Sequence, residues 1–139
     1  MADTFPDLEQ PSASSGLRID TPAVLAEVLD AVDPCDRWEL RWINQVWWEG
    51  KESSWVDCSW DGPLVLDDPS LRAQAATAEQ VINGRFTGFR NGDEAVMIEA
   101  VDSSFWLLWS DDDRLKSRIR ERFGDVTSVR PPTEFHPKG

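Results

Sequence analysis

The dipeptide Asn91-Gly92 narrows the possible folds more than any other feature of this sequence. Asn and Gly accept the positive φ angles of a type I′ turn, whose twist matches that of two antiparallel strands. The segments on either side of the turn, 85–90 and 93–101, are predicted to form two such strands. The sequence therefore predicts a β-hairpin in which Arg90 faces Asp93.

Two further antiparallel segments are predicted. A tight turn at Asp102-Ser103 returns the chain as strand 105–109, which completes a three-stranded meander. Upstream, apolar residues recur with a period of two, which predicts a strand with Trp38, Leu40 and Trp42 on one side and Ile43 and Trp47 on the other. Gly50-Lys51 then allows a turn into a strand over 53–60, so an N-terminal two-stranded hairpin is expected.

Three helices are also predicted. Thr21 and the acidic groups at 67–68 and 111–113 belong to residue types that cap helix N-termini. The first helix ends before Pro34, the second is stopped by Asn83-Gly84, and the third is capped by Gly124. The predicted order is therefore helix, two strands, helix, three strands and helix, and Val126 and Val129 indicate a last short strand.

This order of elements predicts an α+β fold, because tightly connected strands pair antiparallel and the helices pack against their sheet. The 139 residues fit a single domain, expected over 17–130. Residues 1–16 are rich in Ser, Pro and Asp, so we expect a disordered N-terminal tail, and Pro131-Pro132 begins a loose C-terminal tail over 131–139.

The net charge of the chain restricts the kinds of macromolecule that it can bind. The chain carries a formal net charge of −12, from 26 acidic and 14 basic residues. Such a surface repels phosphate backbones, so a basic protein is expected as the partner and direct nucleic-acid binding is not. The sequence lacks an apolar run long enough to span a membrane and a signal-peptide pattern, so no membrane partner and a cytoplasmic location are expected. Cys35 and Cys58 are expected as free thiols.

The residues needed for common catalytic sites are missing. The single histidine, His136, falls in the predicted C-terminal tail, and no phosphate-binding glycine loop or zinc-ligand spacing occurs. We therefore expect no metal, no cofactor and no enzymatic activity. An enzyme using a buried carboxylate, Glu99 or Asp57, stays as an alternative, because burial raises the pKa of a carboxyl group. Glu99 is otherwise expected to bond Arg85 or a backbone donor.

Six tryptophans and several acids crowd residues 38–60, and both faces of the predicted hairpin carry Trp. An exposed aromatic patch ringed by acids suits a basic protein surface or a cationic ligand. Alternatively, helices cover both faces. The predicted partner-binding residues are Trp38, Trp47, Trp48, Glu49, Glu52, Trp55, Asp57 and Asp61.

The leading hypothesis is a non-catalytic acidic binding protein that docks on a basic protein. In size, charge and lack of catalytic residues, it is similar in kind to small bacterial immunity proteins and inhibitors. A small-ligand sensor with a Trp-lined pocket is the alternative. Arg114, Arg118 and Arg122 lie at i, i+4 and i+8 and predict a secondary basic face, which either clamps an anion, supports self-association into a homo-oligomer, or is solvated.

Overall fold

A computed structural model of the chain describes residues 11–48, 62–102 and 104–131. This part forms a seven-stranded sheet in the order β3-β2-β4-β5-β6-β1-β7, with every neighbouring pair antiparallel. The predicted α+β class is confirmed. The elements are β1 (Gly16–Ile19), α1 (Leu25–Leu29), β2 (Arg37–Trp48), β3 (Leu64–Leu66), α2 (Asp68–Thr77), β4 (Ala78–Arg90), β5 (Asp93–Val101), β6 (Phe105–Trp109), α3 (Asp113–Arg122) and β7 (Val126–Val129).

The predicted meander is the centre of this sheet. Asn91 and Gly92 have φ angles of 54° and 81°, and Arg90 pairs with Asp93 across the turn. Asp102, in the next turn, also has a positive φ of 53°. Local turn chemistry thus sets the register of β4, β5 and β6.

The first strand of the predicted hairpin, β2, pairs directly with β4 and so lies in one sheet with the meander. The other neighbour of β2 is the short β3, which had no prediction. The predicted turn at Gly50-Lys51 and the strand over 53–60 lie outside the described residues.

Two predicted helix boundaries were wrong. The second helix ends at Thr77 rather than near Ile82, because residues 78–82 join β4 and its branched Val81 packs into the core. The first helix begins later than predicted, at Leu25, where the backbone N–H of Val24 donates to Glu27 Oε1 at 2.9 Å. The predicted cap, Thr21, instead accepts a hydrogen bond from the backbone of Asp125.

The three helices of the described ranges pack on one face of the sheet. Leu25 and Val28 of α1, Leu71 of α2 and Ile119 of α3 are at most 1% exposed and belong to one hydrophobic cluster. The inward side chains of the strands complete this cluster, among them Leu17, Ile19, Trp38, Leu40, Phe86, Ile98 and Leu108. None of the described helices is long and apolar enough to cross a bilayer.

A buried carboxylate, Asp68, connects the helix layer to the sheet. Its Oδ1 accepts from the backbone N–H of Cys35 at 3.0 Å and from Trp38 Nε1 at 2.9 Å, and its Oδ2 accepts from Arg72 Nε at 2.7 Å. Burial of Asp68 opposes ionisation, but the hydrogen bonds from Arg72, Trp38 and Cys35 outweigh it and lower the pKa of this carboxyl group. Asp68 therefore stays ionised inside the protein.

Arginines from three elements hold the loop after α1. Arg72 donates to the carbonyls of Leu29 and Val32, Arg90 to those of Asp33 and Pro34, and Arg118 to that of Ala31. Carbonyl groups at a helix C-terminus lack partners within the helix and favour positive charge. These contacts fix the short α1, which is too short to be stable alone.

The residues before β1 contact the end of the sheet. The backbone N–H of Ser12 donates to Glu94, and the backbone N–H and hydroxyl of Ser14 both donate to Asp111. Lys116 Nζ donates to the hydroxyl of Ser15 at 2.6 Å. Residues 12–15 of the predicted tail thus bond to β5, to α3 and to the residue before the α3 cap.

We predict that Gly88→Ala destabilises the fold. A Cβ at this position would meet Cys35 Sγ and the ring of Trp38, both buried in the core. Such overpacking costs about 1–3 kcal/mol of unfolding free energy, measured by urea denaturation. Gly124→Ala is the control, because nothing lies within 4 Å of its added Cβ. Equal stabilities of the two variants would contradict the predicted packing.

We also predict that Asp68→Asn lowers the unfolding free energy at pH 7 by about 3 kcal/mol, because it leaves Arg72 without its buried partner. Since the folded-state pKa of Asp68 is lowered, the ionised carboxylate stabilises the fold above its unfolded value of about 4. This contribution is lost as the pH falls through the folded value. The difference between wild type and variant, measured by denaturation, should therefore shrink below pH of about 4.

The control for this variant is Glu121→Gln, which removes one negative charge from an exposed position on α3. We expect its unfolding free energy to follow that of the wild type across the pH range. A pH-independent difference for Asp68→Asn would show that the carboxylate is not the origin of the effect.

Candidate binding surface

The face of the sheet opposite the described helices, called the outer face below, is built from alternate residues of the strands. One row of directly opposed residues runs Arg41, Arg85, Glu99, Leu107 and Arg18 across β2, β4, β5, β6 and β1. Side chains in such a row point to the same side of the sheet. Among the described residues, the outer face includes Val65 on β3, Thr127 on β7, and Arg18, Arg37, Glu39, Arg41, Arg85, Thr87, Phe89, Met97, Glu99, Phe105, Leu107 and Trp109.

The composition of the outer face differs from that of the chain. It has four arginines, two glutamates and no lysine, whereas the chain carries a net charge of −12. Aromatic residues, Met and Arg are the types enriched at the centre of protein interfaces, where Lys and Glu are depleted. Thr87, Met97 and Trp109 are buried on this face, and Arg18 and Arg37 keep 42% and 43% of their side chains exposed.

Two of these arginines share one arrangement. The guanidinium of Arg18 stacks over the ring of Phe105 at 3.7 Å, and that of Arg37 stacks over Phe89 at 4.2 Å. Each also pairs with a carboxylate two residues further along the chain, Arg18 with Asp20 and Arg37 with Glu39. The hydrogen bond to Asp20 raises the pKa of Arg18. Stacking and pairing hold both guanidinium groups in fixed orientations.

Glu99, the candidate catalytic carboxylate, lies at the centre of a hydrogen-bonded network. Arg85 Nε and Nη2 donate to Glu99 Oε2 at 3.0 and 2.7 Å, and Trp109 Nε1 donates to Oε1 at 3.0 Å. The expected bond from Arg85 is therefore present. With both oxygens accepting from fixed donors, this geometry suits a structural ion pair better than proton transfer.

Trp42 departs from the predicted alternation. Its φ angle is +56°, and the pairing of β2 with β4 shifts between Arg41 and Gln45. The indole ring lies 5.5 Å from the guanidinium carbon of Arg41 and 5.1 Å from that of Arg85, both on the outer face. The prediction that Trp42 shares a side with Trp38 was therefore wrong, because the left-handed residue reverses the alternation.

The predicted partner-binding set needs one correction. Trp38 is 0% exposed and donates to buried Asp68, so its ring is a core residue and offers no surface to a partner. Trp47 and Trp48 lie in β2, but their side chains are outside the described part of the structure. Glu49, Glu52, Trp55, Asp57 and Asp61 lie outside the described residues altogether, so Asp57 as a catalytic alternative stays a prediction.

The secondary basic face on α3 is not a uniform row of free guanidinium groups. Arg114 and Arg122 are exposed, but Arg118 donates to the carbonyl of Ala31 and lies 3.5 Å from a carboxylate oxygen of Asp33. Arg118 thus helps to fix the loop after α1. An anion clamp formed by all three arginines would have to break that contact.

The acidic groups at the helix starts are used within the fold. Asp112 caps α3 by accepting from the backbone N–H groups of Arg114 and Leu115, and Asp67 accepts from that of Ser70. Hydrogen bonds from Ser70 lower the pKa of Asp67, and those from Ser14 lower that of Asp111. Within the described ranges, no three His, Cys, Asp or Glu side chains are grouped to hold a metal ion.

A small cleft lies beside the buried Trp106. Its lining includes Ala23, whose carbonyl accepts from Trp106 Nε1 at 3.0 Å, and Phe105. The cavity volume is about 30 Å³, enough for one or two water molecules. This cleft therefore gives no support to the small-ligand alternative.

Sequence reasoning missed the arginines of the outer face, although a local signal for some of them exists. In the segment Arg37-Trp38-Glu39-Leu40-Arg41, charged residues alternate with apolar ones, which is the pattern of a strand with one polar face. Arg18 and Asp20 repeat the same spacing around Ile19. The partnership of Arg85 with Trp42 had no such signal, because it depends on the left-handed residue.

We predict that Glu99→Gln lowers the unfolding free energy by about 2 kcal/mol, because Arg85 is only 11% exposed and would lose a charged partner. Glu39→Gln is the matched control, since its partner Arg37 is 43% exposed and water can replace the lost contact. That control should lose less than about 1 kcal/mol. Urea denaturation of both variants measures the difference, and equal losses would contradict the buried pairing.

The residue types of the outer face indicate what this surface can bind. Stacked arginines, paired carboxylates and partly buried aromatic rings form a surface suited to contact another macromolecule. Comparison of the chain with protein-family models, with curated proteins and with solved structures found no match.

Proposed function

We propose that this chain is a non-catalytic acidic binding protein, an inhibitor-like or immunity-like partner that docks on a basic protein. The observation that carries the proposal is the outer face, where arginines stack on aromatic rings and which lies opposite the helices in the described part of the chain. A few residues carry most of the binding energy at known interfaces, and Trp, Tyr and Arg are enriched among them.

Charge supports a basic partner. The net charge of −12 gives a long-range attraction toward positively charged proteins, which speeds association and weakens with added salt. The outer face itself is not acidic, since its four arginines outnumber its two glutamates. Acidic residues elsewhere on the chain would steer the partner, and the outer face would supply the close contacts.

The predicted partner-binding residues at and after the end of β2 are consistent with the same proposal. Strand β2 carries Arg37, Glu39 and Arg41 on the outer face and continues to Trp47 and Trp48 at its end. The acidic residues Glu49 and Glu52 follow directly in the sequence. We therefore propose that the Trp-rich segment after β2 and the outer face contact the same partner.

The enzyme alternative loses support at Glu99. Both oxygens of this carboxylate are occupied by Arg85 and Trp109, so a substrate proton would have to compete with fixed donors. General acid–base catalysis needs a group within hydrogen-bonding reach of the substrate and free to exchange a proton. A binding role is consistent with the observed pairing.

The experiment is affinity capture from the native lysate at low and moderate salt, followed by purification of the retained protein and measurement of its Kd. We expect a basic protein that is released at moderate salt, because exposed charge pairs are screened beyond about 8–10 Å. Trp48→Ala/Glu49→Ala/Glu52→Ala removes the acidic hairpin contacts, and Arg37→Ala removes one stacked arginine from the outer face. Both variants should weaken binding at least about tenfold, as hot-spot substitutions do.

Arg114→Ala is the matched control, because Arg114 is exposed on α3, on the helix side of the sheet. It should bind the partner as the wild type does. Equal binding by all four proteins, or capture of no basic protein by the wild type, would overturn the proposal. Circular dichroism establishes that each variant is folded.

A further inference from the structure

Two arginines of the outer face oppose each other directly. Arg41 on β2 and Arg85 on β4 are paired Cα positions, so their side chains leave the sheet on the same side and next to each other. Like charges in such a pair destabilise a sheet unless a counter-charge lies nearby. The surroundings of the two arginines therefore decide what this pair can do.

Only one of the two charges is balanced by a described carboxylate. Arg85 donates two hydrogen bonds to one oxygen of Glu99, Oε2, and is 11% exposed at its side chain. Arg41 is half-buried and makes no ion pair within the described ranges. The group of Arg41, Arg85 and Glu99 thus has a net charge of +1 on a chain whose net charge is −12.

Trp42 places an aromatic wall beside this charge. Its ring lies 5.5 Å from the Arg41 guanidinium carbon and 5.1 Å from that of Arg85. A guanidinium that stacks on an aromatic ring keeps its N–H edge available for a planar, bidentate acceptor. Carboxylate and phosphate groups are the acceptors whose oxygen spacing matches that N–H edge.

We infer that Arg41, held against Trp42, is an anchor for a carboxylate side chain of the partner protein. The inference rests on the proposed function and names one contact of that same surface. Charge complementarity indicates which group binds there. The group of Arg41, Arg85 and Glu99, with its net charge of +1, suits one anionic group, whereas the strongly acidic chain repels a polyanion such as nucleic acid. A single Asp or Glu within a basic protein surface satisfies both conditions.

The test uses two pentapeptides with blocked termini, Lys-Lys-Glu-Lys-Lys and Lys-Lys-Gln-Lys-Lys. The glutamine peptide has the higher positive charge, so attraction to the acidic chain alone makes it the tighter ligand. We expect the wild type to reverse this order and to bind the glutamate peptide about fivefold more tightly. NMR titration gives each Kd and shows whether the Arg41 Nε–H and Trp42 indole N–H resonances shift.

Matched variants assign the preference to Arg41. Arg41→Gln should bind the glutamine peptide more tightly than the glutamate peptide, which is the opposite of the preference expected for the wild type. Arg130→Gln removes the same charge from an exposed position just after β7 and should keep the wild-type order. Inorganic phosphate, titrated separately, should compete with the glutamate peptide only where Arg41 is present.

Two results would overturn the inference: a wild-type preference for the glutamine peptide or for neither peptide, and an unchanged preference in Arg41→Gln. Either result leaves the proposed function standing if a captured basic partner still depends on the hairpin and Arg37. Conversely, a glutamate preference that depends on Arg41, without any basic partner, supports the carboxylate site and overturns the proposed function.

Discussion

The buried Asp68 carboxylate is the interaction on which the position of the helix layer depends. Its three donors come from the loop after α1, from β2 and from α2, so one ionised group joins three separate segments. Arg72 extends the connection to two carbonyls at the end of α1. A buried charge is tolerated only when it is paired and fully hydrogen-bonded, and this condition is met here. Because the three segments meet at Asp68, α1 and α2 are placed on the same face of the sheet.

That placement determines the character of the other face. With the three described helices on one side, the strands of the outer face combine apolar side chains with contact to water. The chain uses arginine for this purpose, since its long stem covers apolar surface, its plane stacks on Phe89 and Phe105, and its charge pairs with Glu39 or Asp20. Lysine would provide the charge but not the stacking. The same properties make arginine effective at protein interfaces, so the structural and binding roles share one physical origin.

The sequence predicted those parts of the fold that depend on neighbouring residues. Asn91-Gly92 has the expected positive φ angles, and Asp112 caps α3 through two backbone N–H groups. These features are local, and their chemistry is visible in a few adjacent residues. The class of fold followed from them, because tight turns require antiparallel neighbours.

Features that depend on distant residues were not predictable in the same way. The four-residue β1 is too short to show a period, and it forms because β6 and β7 offer edges on both sides. Residues 78–82 have a helical pattern, but pairing with β2 places them in β4. For the candidate site, the Trp-rich segment was recognised from composition, whereas the burial of Trp38 depends on Asp68, 30 residues away.

The left-handed conformation of Trp42 connects the core to the proposed binding surface. A bulky residue in this region costs on the order of 1–3 kcal/mol, so the surrounding structure has to favour it. One favourable contribution is Ile43, which is 0% exposed and packs over Gly84 on the core face. If Trp42 were extended, strict alternation would direct the indole toward the core and Ile43 toward the outer face. The shift therefore fills the core with the smaller side chain and, as a direct result, sets a tryptophan between two arginines on the outside.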